Sequence, residues 1–224
     1  MFDSYFCPES IGTLRFLENP LVPYKEPLDA HLLRMAKLFA RLDQLLEIPE
    51  RLKLLIMRTI LLHDIDEIPL GDETFFVNRG NNHAKDLDNS HAGKKQIKES
   101  FPNFFQEYQG LYTSYCLATS LVLAGEMNCE EYASCLSEEK SPPLEVPLLV
   151  KLLDRIASNA VILEYGLSLQ GEPDYLRDSQ KYTLDIIEKV KRLELQAAFA
   201  DWFKEAVDVL GGFVETQNLL LKRK

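Results

Sequence analysis

The sequence predicts an all-α fold in a single domain, and three observations predict it. Apolar residues recur at three- and four-residue steps through nearly the whole chain, the spacing of a buried helix face. Hydrophobic alternation with period two, the mark of a half-buried strand, is essentially absent. Breakers gather in a few polar stretches, and no internal repeat, low-complexity block or composition shift divides the chain.

Leu28, Leu32, Met35, Leu38, Phe39, Leu42 and Leu46 mark a first amphipathic helix from about Leu28 to Leu46. Pro49-Glu50 opens the next, RLKLLIMRTILLHD. Its apolar residues cover most of its circumference, which predicts the central, most buried helix. Asn78 to Lys95 is polar, with glycines and no clear period, and reads as a loop. Helical spacing returns from Phe104 to Ala124. Ser137 to Pro147 is a second connector, broken by Pro142 and Pro143. A strong helix follows from about Pro147 to Leu169, and two more cover Pro173–Leu195 and Ala197–Leu221. The last two carry Leu195, Phe199, Trp202, Phe203, Val207, Leu210 and Phe213, which either complete the core or form a dimer surface.

At 224 residues and 46% hydrophobic the chain can bury a proper core. Lys+Arg total 25 and Asp+Glu 35, a net charge of −10. That balance excludes a general binder of nucleic acid polymers, which needs a basic face. Small phosphorylated substrates remain open, because a bound divalent cation reverses the local field. Cys7, Cys116, Cys129 and Cys135 form no CxxC pair and read as free thiols in a reducing cytoplasm, with Cys129–Cys135 as the alternative disulfide. The N-terminus lacks a basic region followed by an apolar run, and no apolar segment is long enough to cross a bilayer, so no membrane role is expected.

Three separated pieces of the chain suggest one metal site. His31 extends the apolar stripe of its helix, His63-Asp64 ends the next helix, and Asp154 shares a stripe with Val150, Ala157 and Val161. A titratable side chain on an apolar stripe is costly unless something satisfies it. For His31 the alternative is a satisfied core histidine, and for Asp154 an ion pair with a nearby arginine. Two imidazoles and two carboxylates suit one divalent transition-metal ion, Mn²⁺, Co²⁺, Fe²⁺, Ni²⁺ or Zn²⁺, with Mg²⁺ also compatible.

The order His31, His63-Asp64, Asp154 resembles the signature of the HD-domain metal-dependent phosphohydrolase superfamily. HDIDEIPLGD (His63 to Asp72) is similar to the HD-x-x-E-x-x-x-G-D stretch of the bacterial 5′-deoxynucleotidases and their eukaryotic relatives. EPLDAHLLRMA (Glu26 to Ala36) resembles that branch's E-x-V-x-E/D-H-x-x-R-M-A segment, and LVKLLDRIA supplies the late Asp. The resemblance covers roughly residues 10–170. It implies a helical bundle of the HD-domain type, a homodimer, and hydrolysis of deoxynucleoside 5′-monophosphates. By the same resemblance His31, His63, Asp64 and Asp154 would hold the metal. Glu67, four residues after His63 on a continuing helix, would position water or shuttle a proton. Asp72 would face the sugar, and Arg15 would contact the phosphate.

Each of these has a plainer alternative: Glu67 as a solvated helix residue, Asp72 as a turn former, Arg15 as a surface charge. The chain also departs from the pattern. Ala30 precedes His31 where the family has Glu or Asp, leaving the histidine's outer partner undefined. His83 and His91 lie in the long loop, where other branches of the superfamily, phosphodiesterases and di-iron oxygenases, place ligands for a second metal. The default for both is a solvated loop histidine, and Arg79, Lys85, Lys94 and Lys95 on the same stretch form either a basic lid over a phosphate or an ordinary polar loop. A non-catalytic nucleotide-binding module is the rival of a different class.

Overall fold

In the computed structural model, the described residues are 26–65, 95, 98–99, 102–136, 142–165, 173–194 and 197–222. They form helices and turns with no strand, so the all-α expectation holds. We label the helices α1 (Leu28–Leu45), α2 (Glu50–Leu62), α3 (Pro102–Leu117), α4 (Cys129–Cys135), α5 (Glu145–Tyr165), α6 (Pro173–Glu194) and α7 (Asp201–Lys222).

The stripe of α1 is buried as expected, through Leu28, His31, Leu32, Met35, Phe39 and Leu42. Helix α2 is not the central helix. It buries Leu52, Ile56, Thr59, Ile60 and Leu62, but Leu54 on its other face is 55% exposed. Lys53 pins α2 to α1 through Asp43 at 3.0 Å. The centre is α5, which packs against α1, α2, α3, α6 and α7. Val146, Leu148, Leu149, Val150, Leu152 and Leu153 are all fully buried. Burying each such side chain contributes roughly 1.5–3 kcal/mol, so this helix anchors the fold. It begins at Glu145, which puts Pro147 in the first turn and not in the connector. Proline is tolerated there because the amide it lacks would have had no intrahelical partner.

Helix α3 runs on into a wider π-helical turn over Ala118–Val122. The chain then reverses at Gly125, whose φ of 78° is a conformation that favours glycine. Helix α4 was not expected. It buries only Tyr132, and its start is fixed by a capping box between Asn128 and Glu131. Phe199, Trp202, Phe203, Val207 and Leu210 are buried in the same core, so the C-terminal helices complete it. Phe213 is exposed, and Leu195 lies outside the described residues. Cys116, Cys129 and Cys135 form no disulfide among the described residues, and Cys7 lies outside them. Among the described residues no helix is long and apolar enough to cross a membrane.

Candidate metal centre

Helices α1, α2 and α5 meet at one buried polar cluster. His31 comes from the first turns of α1, where its amide donates to the Pro27 carbonyl at 3.1 Å. His63 caps the C-terminus of α2, and Asp64 follows in a turn that extends to Ile65. The α-helix ends at Leu62 and His63–Ile65 form a turn, while the expected continuation to Glu67 lies outside the described residues. His63 Nε2 and Asp64 Oδ2 are 3.0 Å apart. Asp154 enters from the middle of α5, 3% exposed, on the stripe that buries Val150, Ala157 and Val161.

One ligand atom from each of His31, His63, Asp64 and Asp154 lies within 4.8 Å of all the others. His31 Nε2 is 3.4 Å from Asp154 Oδ1 and 3.8 Å from Asp64 Oδ2. The two imidazoles tilt across each other with ring centroids 5.7 Å apart, and Tyr115 of α3 covers His63 edge-on. Both Nε2 atoms are buried and face carboxylate oxygens, yet neither makes a well-aligned hydrogen bond. Such orphaned groups are expensive, and they are rare unless a missing partner explains them.

The opposite ring nitrogen fixes the tautomer of His63 and, in His31, faces a carboxylate. His63 Nδ1 is 2.8 Å from the Ile60 carbonyl, which can only accept, so Nδ1 carries a hydrogen. The neutral ring then presents its Nε2 lone pair to the cluster. His31 Nδ1 faces Glu26 Oε2 at 3.4 Å, with both side chains fully buried. Glu26 is itself held by Arg34, whose Nε donates to Oε1 at 3.1 Å and which also reaches Glu164 at 3.5 Å. A ligating histidine whose second nitrogen is held by a carboxylate or carbonyl is the arrangement that orients metal ligands. Glu26 thus fills the role that Ala30 leaves open.

Asp154 divides its oxygens. Oδ1 faces His31 and accepts from Ser158 Oγ at 3.3 Å, while Oδ2 accepts from Lys151 Nζ at 2.9 Å. The ion pair considered for Asp154 therefore exists, but its cation is a lysine one turn back and not an arginine. Burial opposes charge on His63, yet Asp64 and, farther off, Asp154 hold its pKa above the ordinary histidine value. Burial likewise opposes charge on Lys151, and Asp154 more than offsets it. A proton on His63 is thus a stand-in for a cation, and a metal ion would displace it. The donor set fits a divalent ion: two imidazole nitrogens and two carboxylates, all aimed at one point.

The structure brings together the four expected ligands. Arg15, Glu67, Asp72, His83, His91, Arg79, Lys85 and Lys94 lie outside the described residues, and Lys95 is exposed. Glu26, Lys151 and Ser158 were not singled out as site residues. Lys151 and Ser158 had a signal, since both lie three or four residues from Asp154 on one helix. Glu26 precedes its helix and had only its place in the motif. Comparison with protein-family models, curated proteins and solved structures finds no match to this chain.

Proposed function

We propose that this protein is a metal-dependent phosphomonoesterase that hydrolyses nucleoside 5′-monophosphates, deoxynucleotides foremost, to nucleoside and phosphate. The observation that carries the reading is the convergence of His31, His63, Asp64 and Asp154 on one buried point, with both Nε2 atoms facing carboxylates without a well-aligned hydrogen bond. A mixed nitrogen and oxygen set of this kind suits Mn²⁺, Co²⁺, Fe²⁺, Ni²⁺ or Zn²⁺, and leaves positions for water and substrate. When bound, such an ion supplies Lewis acidity to a phosphoryl oxygen and acidifies water.

The protein's part is to hold the ion and shape what surrounds it. Glu26 and the Ile60 carbonyl keep the two imidazoles facing inward. By the resemblance, Glu67 orients the attacking water, Arg15 meets the phosphate and Asp72 accepts from the 3′-hydroxyl. Water's oxygen bonds to phosphorus as the bond to O5′ breaks, and a proton passes to the departing nucleoside. A homodimer in the cytoplasm belongs to the same reading.

The test is phosphate release from a panel of ribo- and deoxyribonucleoside 5′-monophosphates, with Mn²⁺, Co²⁺, Mg²⁺ or chelator, beside Asp64→Ala. Release that needs metal and vanishes in the variant is expected. A wild-type protein that binds metal yet releases no phosphate from any monophosphate would sink the proposal.

A further inference from the structure

Lys151 stands at the metal centre without a task in the reading above. Its ammonium lies 2.9 Å from Asp154 Oδ2, across a single carboxylate from the point where the four ligand atoms converge. Asp154 takes one of its three donors, and no other described residue accepts from the remaining two. Its side chain is 21% exposed beside the fully buried His31, so Lys151 marks the edge of the cluster that meets solvent. Arg155, its neighbour one turn along, is committed elsewhere: it donates to Ser179 and lies over the Tyr182 ring.

Charge points the same way. Among the buried groups, Asp64 and Asp154 balance a divalent cation and Arg34, which also reaches the solvent-exposed Glu164, balances Glu26. Lys151 then leaves this buried centre positive, which selects an anion. A lysine needed only to neutralise Asp154 would be redundant once a cation is bound, because the metal does that itself.

We propose that Lys151 is the anion anchor of this centre, holding a phosphate oxygen of the substrate beside the cation. This rests on the phosphomonoesterase reading and names a further group that recognises its substrate. The shared chemistry is a tetrahedral phosphate, free or as a monoester.

The experiment titrates inorganic phosphate into Mn²⁺-loaded protein by calorimetry, after Mn²⁺ affinity is measured on the same samples. Wild type is compared with Lys151→Met, Lys151→Arg and Lys151→Gln; the glutamine keeps a donor for Asp154 if the methionine variant does not fold. Removing the charge should weaken phosphate by about tenfold or more, with Mn²⁺ affinity held within about threefold. Lys151→Arg should retain most phosphate binding. Unchanged phosphate affinity in the uncharged variants, loss of Mn²⁺ together with phosphate, or no phosphate binding by wild type would each overturn the anchor. The two proposals separate cleanly. Phosphate held through Lys151 without turnover of any monophosphate supports the anchor and refutes the hydrolase. Turnover with an unchanged KM in Lys151→Gln refutes the anchor alone.

Discussion

Helix α5 carries two buried polar clusters one turn apart, and they are finished differently. Toward α6, Asn159 accepts from Ser179 at 2.7 Å and donates to Thr183 at 2.9 Å. Thr183 in turn donates to the Ser179 carbonyl, and Arg155 donates to the Ser179 hydroxyl. Neutral dipoles and one guanidinium close this network, and of its buried side-chain polar atoms only Arg155 Nε lacks a hydrogen bond. Toward α1 and α2, Asp154 meets two histidines and a second aspartate, and neither imidazole Nε2 makes a well-aligned hydrogen bond. A closed network specifies how two helices pack. An open one, rich in acids and imidazoles, is built around a positive centre that the side chains do not themselves supply.

The sharpest break in that contrast comes from Asp154→Asn. Loss of a direct ligand should lower Mn²⁺ affinity by more than about 100-fold, beyond the range typical of outer partners. The thermal stabilisation that Mn²⁺ gives the wild type should vanish with it. Binding that stays within about tenfold of wild type would mean that the cluster is not the metal site.

Glu26→Gln tests the next layer. The amide keeps the shape but not the charge that faces His31 Nδ1 and receives Arg34. An outer partner of a ligating histidine is typically worth about 10–100-fold in metal affinity, and a loss in that range is expected here. A variant that binds Mn²⁺ like wild type would show that Glu26 serves only to hold Arg34.

On the closed side, Asn159→Ala should destabilise the protein by about 1–3 kcal/mol in denaturant unfolding, since it strands Ser179 and Thr183 in the core. Its Mn²⁺ affinity should not change. A variant that lost metal binding instead would erase the distinction between the two clusters.

How much of this was legible depended on whether a residue broke a pattern. His31 and Asp154 stood out because each interrupts an apolar stripe, and the structure brings both to one point. The stripe of α1 was legible for the same reason, to within one residue at its end. The identity of the central helix was not. An apolar run such as RLKLLIMRTILL says that burial is available on every side, and tertiary packing decides which sides use it; Leu54 is left in solvent. Helix α4 has no periodic stripe, only Tyr132 facing in, so its legible sign was the Asn128 and Glu131 capping box. Lys151 looked like any helix lysine, because its three-residue spacing from Asp154 is also that of an ordinary surface pair.

The smallest effect is in pH, and there only the open cluster should respond, with a sign set by whether metal is bound. In chelated protein His63 faces Asp64, Asp154, His31 and Tyr115, and its pKa lies above the ordinary value of 6.5. The folded state therefore holds that proton more tightly than the unfolded chain does. Its stabilisation is fully present below about pH 6.5 and is lost as pH rises through the folded pKa. With Mn²⁺ the dependence reverses, because the ion binds the deprotonated ring and its affinity grows with pH. Melting temperature across pH 5.5–8.5 should thus fall with pH in chelator and rise in Mn²⁺. Calorimetry in buffers of different ionisation enthalpy should show proton release on binding near the low end of that range. The destabilisation from Asn159→Ala should be flat across the same range, since its network of Asn159, Ser179, Thr183 and Arg155 contains no carboxylate or imidazole. Parallel slopes with and without Mn²⁺ would mean that the ion and the His63 proton do not compete for one place.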